Sequence, residues 1–335
     1  MTNQLYDNTH GDPLDAPWLT PKIWAELVNI CPPVHVIHAE NSQFDIYERH
    51  FATDFPFLHR KRFLRPLHQP PPVDASAAKR AIASQPRPPH DPPLLLAFLT
   101  QTARYHPEIV SRVGHKPIAT AEYFAEATRK RLGSLPGKAS LERAQALLFL
   151  GNHEWTELEG EQAWLTIGIA IRYTQVLGYQ HDEVRKRANA THCGDEFEQQ
   201  ERFIEREVER RTFWSCFIMD RFLSAGEQRP QMLNIEKFNI QLPCSNKAFS
   251  RGREVKTRFL GEDDEKYAGR RQGAKDATYK AAIHPYYSDP SHHGCTADSK
   301  VEWEVGEDEG ELSLYIHAVA HFGRVMEWAI DGGRR

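Results

Sequence analysis

Seventeen histidines and five cysteines are the side chains in this 335-residue chain that could bind a metal or act as nucleophiles. Their spacing decides whether they do. His35 and His38 form an HxxH pair, and His317 and His321 stand four apart, which on a helix brings two imidazoles to one side as a zinc site needs. HAVAH lacks the glutamate of HExxH, however, so no general base accompanies that pair. No Glu-x-x-His occurs, which removes the di-iron bundle pattern. His153 and Glu154 are adjacent, and His292-His293-Gly294-Cys295 sits in a polar stretch. Cys31, Cys193, Cys216, Cys244 and Cys295 are too far apart for CxxC chemistry, and their odd number fits free thiols in a reducing compartment. Phosphate loops, dinucleotide fingerprints and the GxSxG elbow are absent as well. Asp220 and Arg221 could be read as catalytic, but adjacent helix residues point different ways, and a charge at the end of a buried helix more often pairs structurally. The sequence therefore nominates no catalytic, cofactor-binding or metal-ligating residue.

The elements that would position such residues are helical. Thr20 and Pro21 open a short helix through Ile30, within an N-terminal lead over residues 1–40. A second runs from about Ser42 to Phe51. Nine prolines between Pro66 and Pro93 mark a connector. Beyond it, Asp91-Pro92-Pro93 opens PLLLAFLTQTARYH, Pro117 opens PIATAEYFAEATRKRL, and Ser140 caps LERAQALLFLGNHEW. In GEQAWLTIGIAIRYTQVLGYQHD, Trp164, Ile167, Ile171 and Thr174 form one stripe, while Leu165, Ile169 and Val176 form another nearly opposite. Such a helix is expected in the middle of a bundle, with Gly168 admitting a close neighbour.

The next helix, about Phe197 to Ala225, begins with charges paired at i,i+4 (Glu198 with Arg202, Glu207 with Arg211) and ends in Trp214, Phe217, Ile218, Met219 and Phe222. Its charged half is expected in solvent and its apolar half in the core. RPQMLNIEKFNIQLPC follows as an extended crossing, residues 245–310 read as a polar connector, and ELSLYIHAVAHFGRVMEWAI forms a last amphipathic helix. Strand patterns are nearly absent, so the fold class is all-α: a multi-helix bundle with long irregular connectors, its core at residues 91–230 around Trp164 and Trp214. The net charge of −4 gives no basic excess for a stand-alone nucleic-acid binder, although RKR recurs at 129–131 and 185–187. No apolar run reaches the length of a membrane span, and a soluble intracellular chain is expected.

EREVERRTFWSCFIMDRFLSAGEQRPQMLNIEKFNIQLPC resembles the signature of the fungal-specific transcription factor domain, the middle homology region of fungal zinc binuclear cluster regulators. Arg210, Arg211, Phe213 and Trp214 match its first block, Asp220, Arg221 and Ser224 its second, and Arg229, Pro230, Leu242 and Pro243 its third. YERHFATDFPFLHRKRFL and the two central helices resemble further blocks in the same order, so the likeness covers residues 41–331 and the regulatory domain is assigned to 41–335.

The resemblance implies an all-helical regulatory region of a nuclear transcription regulator, acting in RNA polymerase II transcription without catalysis. Ser224 and Arg229 would fasten the turn after the long helix. The family's zinc ions sit in a six-cysteine C-x2-C-x6-C module, which these cysteines do not form. DNA contact, and the zinc with it, is therefore expected from a missing or partner-supplied module. The other expected partners are the transcription machinery or another regulator and a small-molecule effector, with no membrane. An all-helical ligand-binding or scaffold protein is the alternative, and an enzyme using the histidine-rich surface comes third.

Overall fold

The computed structural model describes residues 43–65, 90–133, 137–182, 196–226, 229–262, 266, 310–330 and 332–333. The helix expected at 20–30 and the proline-rich connector as far as residue 89 lie outside them. Among the described residues ten helices follow in order: α1 Gln43–His50, α2 Arg60–Leu64, α3 Pro92–Thr102, α4 Pro107–Ile109, α5 Pro117–Leu132, α6 Leu141–Thr156, α7 Gly160–Val176, α8 Glu196–Leu223, α9 Asn246–Arg251 and α10 Glu311–Ile330. A π-turn at Val110–Gly114 precedes α5, and 3-10 turns lie at Ala103–Tyr105 and Ile235–Lys237. Among the described residues the only β pairings are isolated bridges, His181 with Asn239 and Gln241 with Phe259. The fold is all-α.

Local chemistry sets several ends as expected. Prolines occupy the first positions of α3 and α5, where a missing N–H costs nothing. The Ser140 hydroxyl accepts from the Arg143 N–H and caps α6. Gly178, at φ +74°, takes the left-handed turn after α7. At the end of α6 the equivalent left-handed position is held by Leu158, at φ +66° and 92% exposed, where a glycine is usual.

The helix at the centre is α3, every residue from Pro93 to Thr102 being buried. It packs against α5 and α6, and its polar side chains are satisfied internally. Thr100 and Thr102 donate to the carbonyls of Leu96 and Phe98, and Gln101 bridges the Phe149 carbonyl and Asn152. That central place was expected for α7, but Leu165 (55% exposed) and Val176 (77% exposed) face outward. The Ile167–Ile171 side of α7 is covered, by α6 and α8, while the second apolar stripe is mostly surface, with Ile169 alone of its three residues partly buried against the core. The close approach between helices also falls elsewhere. A Cβ on Gly151 of α6 would stand 2.7 Å from the Ile167 side chain, whereas one on Gly168 would meet only Met232 Sδ at 3.4 Å.

Trp214 of α8 is fully buried and donates its indole N–H to the Gln241 carbonyl at 2.9 Å. Trp164 is only partly buried at the edge of the same core. The core also extends beyond residues 91–230, taking in Phe44, Tyr47, Phe55, Phe57 and Phe63 before them and Leu242, Ile316 and Val319 after.

Two expectations for the charged half of α8 and the segment after 244 are corrected together. Phe203, Ile204 and Val208 of α8 form a second core with Cys244, Ala248, Phe249 and Val255. The segment from 245 opens as a packed helix, capped by Ser245 and ended by Gly252 at φ +66°. A Cβ on Gly252 would lie 2.4 Å from Gln200 Cγ, so the segment sits tight on α8. The first half of α8 is not a solvated lead, because the apolar residues interleaved with its charges have a partner.

Candidate functional site

The residues of the recognised signature form two buried ionic knots on α8, both clasping the crossing segment that follows. In the first, Arg211 donates Nε to Glu207 Oε1 (2.9 Å), Nη2 to the Cys244 carbonyl (2.7 Å), and Nη1 to Asn246 Oδ1 (2.9 Å) and the Pro56 carbonyl (3.2 Å). Glu207 Oε1 also accepts the Cys244 N–H at 2.9 Å. Arg210 bridges Glu207 Oε2 (2.5 Å) and Asp182 Oδ1 (3.2 Å), and Asp182 Oδ2 accepts the Gln241 N–H at 2.8 Å. Burial alone would lower the Arg210 pKa, but the carboxylates of Asp182 and Glu207 outweigh it and raise it above its usual range. Glu198 and Arg202 pair as expected at 3.9 Å, in the more exposed first turns.

The second knot is Asp220 with Arg221. These neighbours do converge: Arg221 Nη1 donates to Asp220 Oδ2 at 2.6 Å, with both side chains 2% exposed. Asp220 accepts the N–H groups of Met232 (3.0 Å) and Leu233 (3.1 Å), while Arg221 Nη2 donates to the Leu233 carbonyl at 2.5 Å. Burial pushes the Asp220 carboxyl up against the opposing pull of those N–H groups and of Arg221. Burial likewise lowers Arg221. Ser224 donates to the Pro230 carbonyl at 3.4 Å, and the Arg229 N–H reaches the Gly226 carbonyl at 3.1 Å, so both residues do fasten the exit turn.

Every charged atom named in these knots is turned toward backbone or an opposite charge. That arrangement can hold two chain segments together.

The other polar cluster joins the 3-10 turn at Ala103–Tyr105 with α5 and α6. His153, almost wholly buried, meets Glu122 Oε2 at 2.8 Å through Nε2 and Arg104 Nη2 at 3.1 Å through Nδ1. Arg129 completes it with Glu122 at 2.7 Å and Glu154 at 3.4 Å. His153 and Glu154 are thus drawn into one network, but through Arg129 and Glu122. RKR at 129–131 begins with an arginine whose charge is used in that network, and RKR at 185–187 lies outside the described residues.

Of the metal candidates, His317 is half-buried and His321 is exposed with Arg324 on its Nδ1. Among the described residues no three His, Cys, Asp or Glu side chains are grouped to hold an ion. His35, His38, His292, His293, Cys31, Cys193 and Cys295 lie outside those residues. Cys216 and Cys244 are free and buried, and burial pushes both thiols well above their ordinary range.

Sequence reasoning missed one surface. The outer side of α10 carries Leu314, Val325 and Trp328, all more than half exposed. Nearby, Trp155 stacks on Phe222 at 5.8 Å and Phe222 meets Phe322 at 5.7 Å. The inner side buries Ile316, Val319 and Gly323, where a Cβ would stand 2.4 Å from Arg221 Cδ. The Leu314, Val325, Trp328 spacing is helical and was readable, but apolar periodicity alone does not say which side of a helix meets the core.

Residues 44–272 match the fungal specific transcription factor domain, more than half of the chain and all of the two knots. The chain belongs to that family. Its matched part is 35% identical over 191 residues to a Zn(2)-C6 fungal-type transcription factor, FTF1c, of Fusarium oxysporum f. sp. lycopersici, covering 56% of this chain and 17% of that protein. It is 34% identical over 127 residues to transcription factor tazR of Aspergillus terreus, 38% of this chain and 19% of that one. A transcriptional regulatory protein of Schizosaccharomyces pombe is 30% identical over 160 residues, 47% of this chain and 16% of that protein. The matched region thus spans less than a fifth of the length of these curated relatives. No solved structure matches the chain.

Proposed function

We propose that this chain supplies the regulatory region of a nuclear transcription regulator acting in RNA polymerase II transcription, and that it works by binding rather than by catalysis. The observation that carries this reading is the family match over residues 44–272, within which Arg211 and Asp220 tie α8 to the crossing segment. Relatives named as transcription factors support it. DNA would be reached through a zinc-cluster module outside these 335 residues or through one carried by a partner. The transcription machinery or another regulator would be the protein partner, and a small-molecule effector the signal. Among the described residues no helix is long and apolar enough to cross a membrane.

Tethering tests the proposal. The chain, fused to an unrelated DNA-binding domain, should shift expression from a nuclear reporter bearing that domain's site. Trp214→Ala should abolish the shift by unfolding the bundle, and the unfused DNA-binding domain should give none. A folded, nuclear fusion that leaves the reporter flat would contradict the reading.

A further inference from the structure

The outer side of α7 carries a stripe whose order is the same from either end. Gln162, Leu165, Arg172 and Val176 are exposed, and Ile169 is half-buried beside them. Spacings of three and four keep these five on one side of the helix, away from the Ile167–Ile171 side that α6 and α8 cover. Leu158, four residues before Gln162, extends the stripe into the turn that precedes the helix. From Leu158 to Val176 it reads apolar, polar, apolar, apolar, polar, apolar.

That order has a centre. Leu158 and Val176 stand nine residues to either side of Ile167, Gln162 and Arg172 five, and Leu165 and Ile169 two. A helix that packs on a copy of itself about a two-fold axis meets its own sequence reversed, residue i facing j and j facing i. With the axis level with Ile167, Leu165 of each copy meets Ile169 of the other, Leu158 lies beside Val176 at both ends, and the Gln162 amide meets the Arg172 guanidinium.

The charges select the direction. Glu159 and Glu161 are exposed at the entrance to α7, and Arg172 is exposed near its end, bonded to the Gln175 side chain at 2.8 Å. Antiparallel packing brings the acidic entrance of each copy to the arginine of the other and opposes the two helix dipoles. Parallel packing would set like charges side by side.

Leu158 is an independent observation. Its backbone is left-handed, at φ +66°, where a glycine would be unstrained, and its side chain is almost wholly exposed. A leucine held there costs the single chain stability and covers little within it, as expected of a side chain that another chain covers.

We propose that the outer side of α7 is the docking surface for a second copy of this chain, the two helices packing antiparallel about a two-fold axis at Ile167, with Glu161 of each copy facing Arg172 of the other. Two 17-residue helices meet over only about 25 Å, which puts the contact at the small end of specific interfaces and its dissociation constant in the micromolar range.

Sedimentation of the whole chain between about 1 and 100 µM tests this. The wild type should pass from monomer to dimer over that range. Leu165→Asp, at a position exposed in the single chain, should stay monomeric with an unchanged circular dichroism spectrum. Charge reversal then tests the direction. Glu161→Arg alone and Arg172→Glu alone should each weaken association about tenfold, because like charges then meet across the axis, and both reversals in one chain should restore it. A wild type that is monomeric at the highest concentration, a Leu165→Asp variant that still dimerises, or a double reversal no better than the single ones would each overturn the proposal.

Discussion

The Arg211 guanidinium lies 4.1 Å over the Phe249 ring while its Nε donates to Glu207, so one side chain joins the charged half of α8 to a helix 38 residues further on. A residue so placed serves the fold through both its charge and its flat face. Arg211→Ala should cost about 3 kcal/mol, because it removes one of the two guanidinium groups on Glu207 in a dry site, with Arg210 remaining, and takes the donor from the Cys244 and Pro56 carbonyls. Arg211→Lys should also be poorly tolerated, since an ammonium cannot reproduce the fork that meets Glu207, Asn246 and Cys244. Urea unfolding of both variants checks this.

The two tryptophans should separate sharply. Trp214→Ala opens a void in a fully covered site and breaks the bond to Gln241, costing about 3–5 kcal/mol. Trp164→Ala, at the partly covered edge, should cost clearly less. Denaturant midpoints measured side by side give the ranking, and equal losses would place Trp164 at the centre after all.

Leu158 offers a gain. Its side chain is 92% exposed and its backbone is in the left-handed region, where an L-residue pays about 1 kcal/mol. Leu158→Gly should therefore raise stability by roughly 0.5–1 kcal/mol, visible as a higher melting temperature.

Acid should weaken the bundle through Glu122. Burial raises its carboxyl, but bonds from His153 and Arg129 outweigh this and leave it below its ordinary value of 4.5. A depressed carboxylate contributes stability above its unfolded value, and that contribution is lost as pH falls through the folded one. Glu122→Gln should flatten the loss of stability below about pH 4.5 relative to wild type. An unchanged acid limb in a pH series of melting curves would remove Glu122 from the account.

Much of this fold was legible because caps and prolines act locally. Ser140, Pro92 and Pro117 set helix starts within their own first turn, and the structure places those starts where the sequence does. The sidedness of α7 was not legible. Two apolar stripes state that both sides tolerate burial, and only the arrival of α6 and α8 on one of them leaves Leu165 and Val176 in solvent. The knots were half legible. The i,i+4 spacing of Glu207 and Arg211 predicts their pairing, but their burial depends on Cys244, Asn246 and Pro56, far away in the chain. The contacts of His90 have no sequence signal, since they need the Phe63 carbonyl and the Glu142 carboxylate from two other elements.

The family signature on α8 holds the crossing segment in place. Amide exchange at Met232, Leu233 and Cys244, the three N–H groups held by Asp220 and Glu207, tests it most directly. In wild type all three should exchange only with global unfolding; Asp220→Ala should release Met232 and Leu233, and Glu207→Ala should release Cys244. Fast exchange at these amides in the wild type, or protection unchanged by either substitution, would contradict it.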